Sequence, residues 1–325
     1  VSLLAEKTAN LAQPDRLFAE EQAEILDGLR AEQKRISPKY FYDQRGSELF
    51  DEICSLPEYY PTRTEAQIMA ENFREIAQRI GPGAAVIEFG AGSNVKAKKL
   101  LEQLESPVAY VPVEISGEYL AAQAQELQED FPELSIRPVV ADFTKPFDLP
   151  DHPVTPERNL IFFPGSTIGN FTRREALVLL KVMRAEAKPG GALLIGVDLI
   201  KNVSTVHAAY NDSRGVTAEF NRNALRHLND GLGANFRPEL FRHEAVYDAE
   251  HDRIEMRLIS LRRHAVDVAG ESIQFETGEH IVTEYSHKYS MEGFAQMARE
   301  AGWQHEAFWT DRERLFSVHF LTVRS

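Results

Sequence analysis

Residues 86–92 read Val-Ile-Glu-Phe-Gly-Ala-Gly, an apolar run that meets a carboxylate and passes straight into a glycine turn, with a helical pattern, Lys96–Leu104, behind it. A turn of this kind can receive a nucleotide-like cofactor. Gly90 and Gly92 carry no side chain to hold a ligand off the backbone, and the helix that follows offers N–H groups at its start. Paired glycines also occur in strand-to-helix turns for packing alone, so the turn by itself leaves both readings open. Glu114 ends the next apolar run, 22 residues beyond Gly92, near the spacing at which an acid accepts both hydroxyls of a ribose. A surface acid at a strand end is the alternative. Asp142-Phe143 closes a third run, where the carboxylate could accept from an adenine amino group while Phe143 borders the base; a cap or turn role is the rival for Asp142. Lys96, one turn into the helix, could meet a cofactor carboxylate, whereas Lys98 and Lys99 read as a solvated face. The turn Gly-Ala-Gly-Ser-Asn-Val lacks the third glycine of the dinucleotide fingerprint, which counts against NAD.

These residues need a scaffold, and the hydrophobic pattern supplies one. Apolar runs at Ala85–Phe89, Val108–Ile115, Ile136–Ala141, Leu160–Phe163 and Ala192–Val197 alternate with helical patterns at Lys96–Leu104, Glu118–Glu129 and Arg173–Ala187, after a first helical stretch over Glu65–Ile80. Such a series predicts a parallel, doubly wound α/β sheet. The alternation fails after Asp198: a helix is expected over Ser213–Asn229, then strand-like runs between Leu240 and Val282, which predicts an inserted α+β lobe. The chain closes with a helix, Met291–Ala301, and two strand-like runs, His305–Trp309 and Leu315–Val323, joined by the short link Thr310–Arg314. A link that short makes a hairpin, so the last strand should run antiparallel to its neighbours. That ending resembles the seven-stranded S-adenosylmethionine (SAM) methyltransferase sheet rather than a wholly parallel dehydrogenase sheet.

Composition narrows the partners. The 325 residues suffice for two lobes, and a formal charge of −14 with no long basic run disfavours nucleic acid and anionic membranes. A small cationic or zwitterionic ligand is expected instead. Cys54 is the only cysteine, no apolar stretch approaches a bilayer-spanning length, and no export signal is read, so a cytoplasmic protein is expected. Nothing demands a dimer, and a monomer is the expectation. His243, His251 and Asp252 lack metal-ligand spacing and read as part of a turn-bearing hairpin, so no metal is expected.

Longer motifs carry a resemblance. Residues 41–53 (FYDQRGSELFDEI), 56–65 (LPEYYPTRTE), 163–170 (FPGSTIGN), 208–223 (AAYNDSRGVTAEFNRN), 255–258 (EMRL) and 283–289 (TEYSHKY) resemble the histidine-specific, SAM-dependent methyltransferase family of ergothioneine biosynthesis, along nearly the whole chain. The resemblance implies three successive methyl transfers to the α-amino group of L-histidine, giving hercynine and S-adenosyl-L-homocysteine. It also implies a methyltransferase domain over residues 64–200 and 288–325, and a substrate-binding domain built from residues 1–63 and 201–287. Around SAM it puts Tyr59, Gly90, Lys96, Asp142 and Phe143, with Glu114 where aspartate is common in the family. For the substrate it puts Asn170 and Tyr210 at the α-carboxylate and Tyr42 and Gly165 near the amino group. Glu284 and Ser286 then face the imidazole, with Met256 against it, and Tyr59 lies beside both ligands.

These residue types suit methyl transfer to an amine. The attacking nitrogen must be neutral and in line with the S–CH₃ bond, and Tyr42 is the candidate contact that guides its proton away, directly or through water. Asn170 and Tyr210 would fix a carboxylate without a deep positive field, leaving a neutral, partly aromatic surround for a quaternary ammonium product. Each has a plainer rival: the tyrosines as core aromatics, Met256 as filler, Asn170 as a helix cap near Thr172, and Glu284 with Ser286 as one polar strand face.

Overall fold

The structure, a computed structural model, is described for residues 13–115, 117–145, 147–152 and 154–324. Two compact units are resolved by their internal packing: one holds residues 13–50, Ser213–Val246 and Glu255–Glu284, the other Asp51–Asp212, Tyr247–Ile254 and residues 285–324.

In the larger unit the apolar runs become strands β1 (Ala84–Phe89), β2 (Ala109–Glu114), β3 (Ser135–Ile136), β4 (Val139–Val140), β5 (Arg158–Phe163) and β6 (Ala192–Asp198). Alternate residues serve opposite faces. Ile87, Phe89, Ile161, Phe163, Leu193 and Ile195 enter one core, and Val86, Leu160, Phe162 and Leu194 enter the other. A sheet covered on both sides therefore needs apolar residues at nearly every strand position, which is why these runs do not alternate. The covering helices include α3 (Tyr60–Ile80), α4 (Val95–Leu101), α5 (Gly117–Asp130) and α6 (Arg173–Ala187). The start of α6 is set by a reciprocal box in which Thr172 caps the Glu175 N–H and the Glu175 side chain caps Thr172.

Among the described residues the sheet has eight strands, because the third run, expected as one strand over 136–141, is split into β3 and β4, both paired to β2. Pro138 lies between them and has no N–H to give the ladder, so pairing lapses there. Helix α4 ends at Leu101, short of the expected Leu104. A helix absent from the pattern reading, α7 (Val203–Tyr210), follows β6; the Asn202 side chain caps its Ser204 N–H at 2.8 Å. Last come α9 (Met291–Glu300), β12 (Gln304–Thr310) and β13 (Phe316–Thr322), numbered after the elements of the smaller unit. Strand β13 runs antiparallel to both β12 and β6, as the short link required, giving the order β12-β13-β6-β5-β1-β2-β3.

The smaller unit contains α1 (Gln13–Arg30), most of α2 (Gln44–Cys54) and α8 (Val216–Leu232), with strands β9 (His264–Val268) and β10 (Glu271–Phe275) as a hairpin. Its turn places Ala269 and Gly270 at φ +49° and +82°, the left-handed pair that a two-residue hairpin demands. Strands β7 (Phe241–Asp248), β8 (Arg253–Ser260) and β11 (His280–His287) form a sheet in the order β11-β8-β7. No helix among the described residues is long and apolar enough to cross a membrane.

One core contact of the closing hairpin has a pH signature. His319 is fully buried, sharing hydrogen bonds with His305 (2.8 Å) and Ser317 (2.9 Å), and burial, reinforced by His305, pushes its pKa down to about 3. The unfolded chain binds this proton near pH 6.5 and the folded one does not, so stability falls as pH drops from about 6.5 toward 3. At about 1.4 kcal/mol per unit the loss is on the order of 5 kcal/mol. Melting temperature followed across that range should fall less steeply for His319→Gln than for the native chain.

Candidate active site

The glycine turn is built as a ligand approach. Gly90 takes φ +72°, and the Gly90 and Ala91 N–H groups donate to the Val113 carbonyl (2.9 and 3.1 Å), which ties the turn to β2. Asn94 fastens the other end through the Gln123 side chain and carbonyl. A Cβ on Gly92 would meet nothing within 4 Å, while one on Gly90 would come within 3.3 Å of the Phe143 ring. Open space on one side and an aromatic edge on the other suit a nucleoside. At the end of β2 the Glu114 carboxylate accepts from the Ile115 N–H (2.7 Å). Asp142 accepts from the Thr144 N–H (3.0 Å) and hydroxyl, so one of its oxygens makes the local turn that was its plainer reading. Phe143 packs against Phe89 and Phe163, with ring centres 5.8 Å away in each case.

Lys96 is already engaged. Its ammonium lies 2.6 Å from Glu65, a carboxylate only 1% exposed that also accepts from the Gly165 N–H at 2.9 Å. Space for this acid comes from β6: a Cβ on Gly196 would lie 2.0 Å from Glu65 Oε1. Gly165 and Ser166 both take positive φ, +81° and +59°, so the Pro164–Thr167 turn stores strain held by its surroundings. Glu88, the acid before the glycines, is buried beside the Tyr110 hydroxyl, and desolvation pushes it up to about 7.

A second polar centre surrounds Asp198, at the end of β6. Its carboxylate, 1% exposed, meets the Lys288 ammonium at 2.8 Å, the Lys201 ammonium, and the Tyr60 hydroxyl at 2.8 and 3.0 Å. Its N–H donates to Ser166 Oγ (2.8 Å), joining this centre to the strained turn. Lys288 also donates to Ser286 Oγ (2.7 Å) and Tyr210 Oη (3.1 Å), and those two hydroxyls are 2.7 Å apart. Burial alone would raise Asp198, but the two lysine charges hold it below its ordinary value. Burial would likewise lower Lys288, which the Asp198 charge instead holds above the usual lysine range; for Lys201 burial prevails and brings it to about 8. Tyr210 thus has an ammonium, that of Lys288, at hydrogen-bond distance, with the Asp198 carboxylate paired behind it. The Tyr59 and Tyr210 rings meet edge to face at 6.2 Å. Asn170 lies on the helical turn Thr167–Asn170 and is not the cap of α6, a place that Thr172 takes.

The smaller unit positions the remaining candidates. Tyr42 follows the turn Pro38–Phe41, its ring edge-on to Phe50 (5.8 Å) and Phe220 (5.7 Å). Asp43 beside it accepts from the Gly46 N–H (2.6 Å) and the Asn223 amide (2.8 Å), so two separate motifs meet at one carboxylate. Gly46 is required there because a Cβ would lie 1.6 Å from the Phe41 carbonyl oxygen. Buried Asn221 accepts from the Thr283 hydroxyl (2.7 Å) and donates to the Arg257 carbonyl (3.1 Å), while Thr283 also donates to the Met256 carbonyl (3.1 Å). Met256 and Glu284 are thereby fixed on β8 and β11, and both are buried. Along β11 both parities are largely buried, so Glu284 and Ser286 do not lie on an exposed polar face. His251 binds Asp248 (2.7 Å) within its turn, and His243 binds Asn221 (2.8 Å).

Sequence reading missed Glu65, Tyr60, Asp198, Lys201 and Lys288. A usable signal existed: Glu65 interrupts the apolar stripe of α3, and Asp198 ends an otherwise apolar strand.

The sheet order, its antiparallel closing hairpin and the glycine turn, with Glu114 at the end of β2 and Asp142 shortly after β4, fit a SAM-dependent methyltransferase, the class that the matching family model gives. The chain belongs to the histidine-specific, SAM-dependent methyltransferase family, whose model matches residues 21–323. Histidine N-alpha-methyltransferase of Mycolicibacterium smegmatis is 35% identical over 308 residues, 93% of this chain and 95% of that protein. The protein of the same name from Mycobacterium tuberculosis is 36% identical over 300 residues, 91% of this chain and 92% of that one. Ergothioneine biosynthesis protein 1 of Neurospora crassa is 32% identical over 276 residues, 83% of this chain but 31% of that longer protein.

Glu65 offers a direct check on how the site is held. Glu65→Ala leaves the Lys96 ammonium and the Gly165 N–H without their shared acceptor, and should lower stability by ~2–4 kcal/mol in denaturant unfolding. Binding of S-adenosyl-L-homocysteine should weaken about tenfold in calorimetry, with Glu65→Gln intermediate.

Proposed function

We propose that the protein transfers three methyl groups in succession from SAM to the α-amino group of L-histidine. The products are hercynine and S-adenosyl-L-homocysteine, and the reaction is the first step of ergothioneine biosynthesis. In this reading it acts in the cytoplasm as a monomer, with no nucleic-acid or membrane partner. Residues 64–200 and 288–325 serve the methyltransferase domain, and residues 1–63 and 201–287 the substrate-binding domain. The observation that carries the reading is the Tyr210–Ser286 contact at 2.7 Å, which joins two family motifs 76 residues apart.

Bound SAM supplies an electrophilic methyl carbon that needs no further activation. Gly90, Lys96, Glu114, Asp142, Phe143 and Tyr59 would hold it, each from the position described above. The chain's own work is to align a neutral amine. An α-amino group removed from water loses part of its preference for the ammonium form, and Tyr42 together with Gly165 would hold that nitrogen while its proton leaves, directly or through water. The edge-on rings of Tyr42, Phe50 and Phe220 give an aromatic surface that tolerates a growing cluster of methyl groups and a permanent positive charge. Asn170 and Tyr210 would hold the substrate carboxylate. Glu284 would accept an imidazole N–H while Ser286 serves the other ring nitrogen and Met256 packs against the ring. An amino acid without that N–H forgoes a charge-assisted hydrogen bond to a buried carboxylate, which discriminates against it.

Mass spectrometry of L-histidine incubated with the protein and SAM should find three added methyl groups on the α-nitrogen; methylation on the ring would overturn the proposed orientation. Glu284→Ala should reduce the preference for histidine over other amino acids by about tenfold or more while SAM affinity changes little. An unchanged preference in competition assays removes Glu284 from its role.

A further inference from the structure

Lys288 is a buried cation that the proposed reaction does not use. Its side chain is 0% exposed, and its three N–H donors face three acceptors: Asp198 at 2.8 Å, Ser286 Oγ at 2.7 Å and Tyr210 Oη at 3.1 Å. An ammonium has donors only, so both hydroxyl oxygens accept from it; one hydroxyl hydrogen bridges the pair, whose oxygens are 2.7 Å apart, and the other points away from Nζ. A hydroxyl that accepts from a cation is also a stronger donor, because hydrogen bonds along a chain polarise one another. The ammonium itself is held in place from behind. Asp198 anchors it, and Lys201 and Tyr60 occupy the rest of that carboxylate.

The geometry points to Lys288 as a positioning residue for substrate binding: anchored on Asp198, it polarises the hydrogen-bonded Tyr210–Ser286 hydroxyl pair, whose one hydrogen not spent within the pair selects an acceptor atom of the substrate, a carboxylate oxygen or an unprotonated ring nitrogen. This rests on the reading of L-histidine as substrate and of Tyr210 and Ser286 as contacts to it. Lys288 acts only through those two hydroxyls and touches neither ligand nor reacting atom. Its removal is survivable for the fold, since Asp198 keeps Lys201 and Tyr60 as partners and methionine matches the lysine stem.

The test compares the native protein with Lys288→Met, Ser286→Ala and the double variant by calorimetry, titrating S-adenosyl-L-homocysteine alone and then L-histidine onto that complex. Lys288→Met should weaken histidine binding about tenfold or more while the cofactor product binds within about threefold of the native value. The double variant should be weaker than the native protein by clearly less than the product of the two single effects, because both changes act on one contact. Multiplicative effects, or a parallel loss of cofactor-product binding, overturn the inference. Tyrosine ¹³Cζ NMR reads the contact with no ligand present: the Tyr210 resonance should move on Lys288→Met, and a static resonance overturns the inference even if histidine is methylated. A moving resonance in a native protein that takes no histidine sinks the substrate reading and leaves the polarised pair standing. Should the methionine variant not fold, Lys288→Gln is read in the same way, with a smaller histidine effect expected because its amide keeps two of the three N–H donors.

Discussion

The polar centre of the larger unit depends on one constraint: a carboxylate shut away from water at Asp198 must be matched by charge at close range. Desolvating an ion costs several kcal/mol, and removing one member of such a pair strands the other, so the partners cannot drift independently. Here the match is made twice over, by Lys288 and Lys201, with the Tyr60 hydroxyl completing the set. That arrangement reaches outward through Lys288 to Tyr210 and Ser286, and through the Asp198 N–H to the Ser166 turn. Residues from α3, β6, α7 and β11 are thus committed to one electrostatic solution.

The smaller unit fixes its candidates mainly through amide and hydroxyl groups. Asn221, Asn223 and Thr283 are buried and exchange hydrogen bonds with one another's neighbours, fixing β8 and β11 and the Tyr42 turn by amide and hydroxyl contacts. A buried polar network of this type is rigid only if every member is satisfied, and the geometry around Asn221, with one acceptor role and two partners for its amide nitrogen, meets that condition. The candidate residues of the larger unit are thus tied to ion pairs, and those of the smaller unit mainly to amide and hydroxyl hydrogen bonds, one of them to the Asp43 carboxylate.

Much of the sheet was legible because burial on both faces leaves an unmistakable imprint: long apolar runs at Ala84–Phe89 and Ala192–Asp198, and a terminal link too short for a crossover. The third strand was misread as continuous because periodicity weighs Val139 and Val140 but not the missing N–H of Pro138. Helix Val203–Tyr210 escaped notice because eight residues give too few turns for a stripe to emerge. The family motifs named the ligand-facing candidates, but their supports stayed hidden. Lys288 and Asp198 lie far apart in sequence, and no spacing rule links a strand-end acid to a lysine that folding brings beside it. The ammonium beside Tyr210 follows from that pairing, which the residue types of Asn170 and Tyr210 do not reveal.

Gly196 shows how a ligand-remote position inherits the demands of chemistry. In the middle of β6, flanked by Ile195 and Val197, it looks interchangeable with alanine, yet the Glu65 carboxylate occupies the volume a methyl group would need. Mutational tolerance along this strand is therefore uneven: its two leucines and one isoleucine can trade among themselves at modest cost, while the smallest residue of all is the least replaceable.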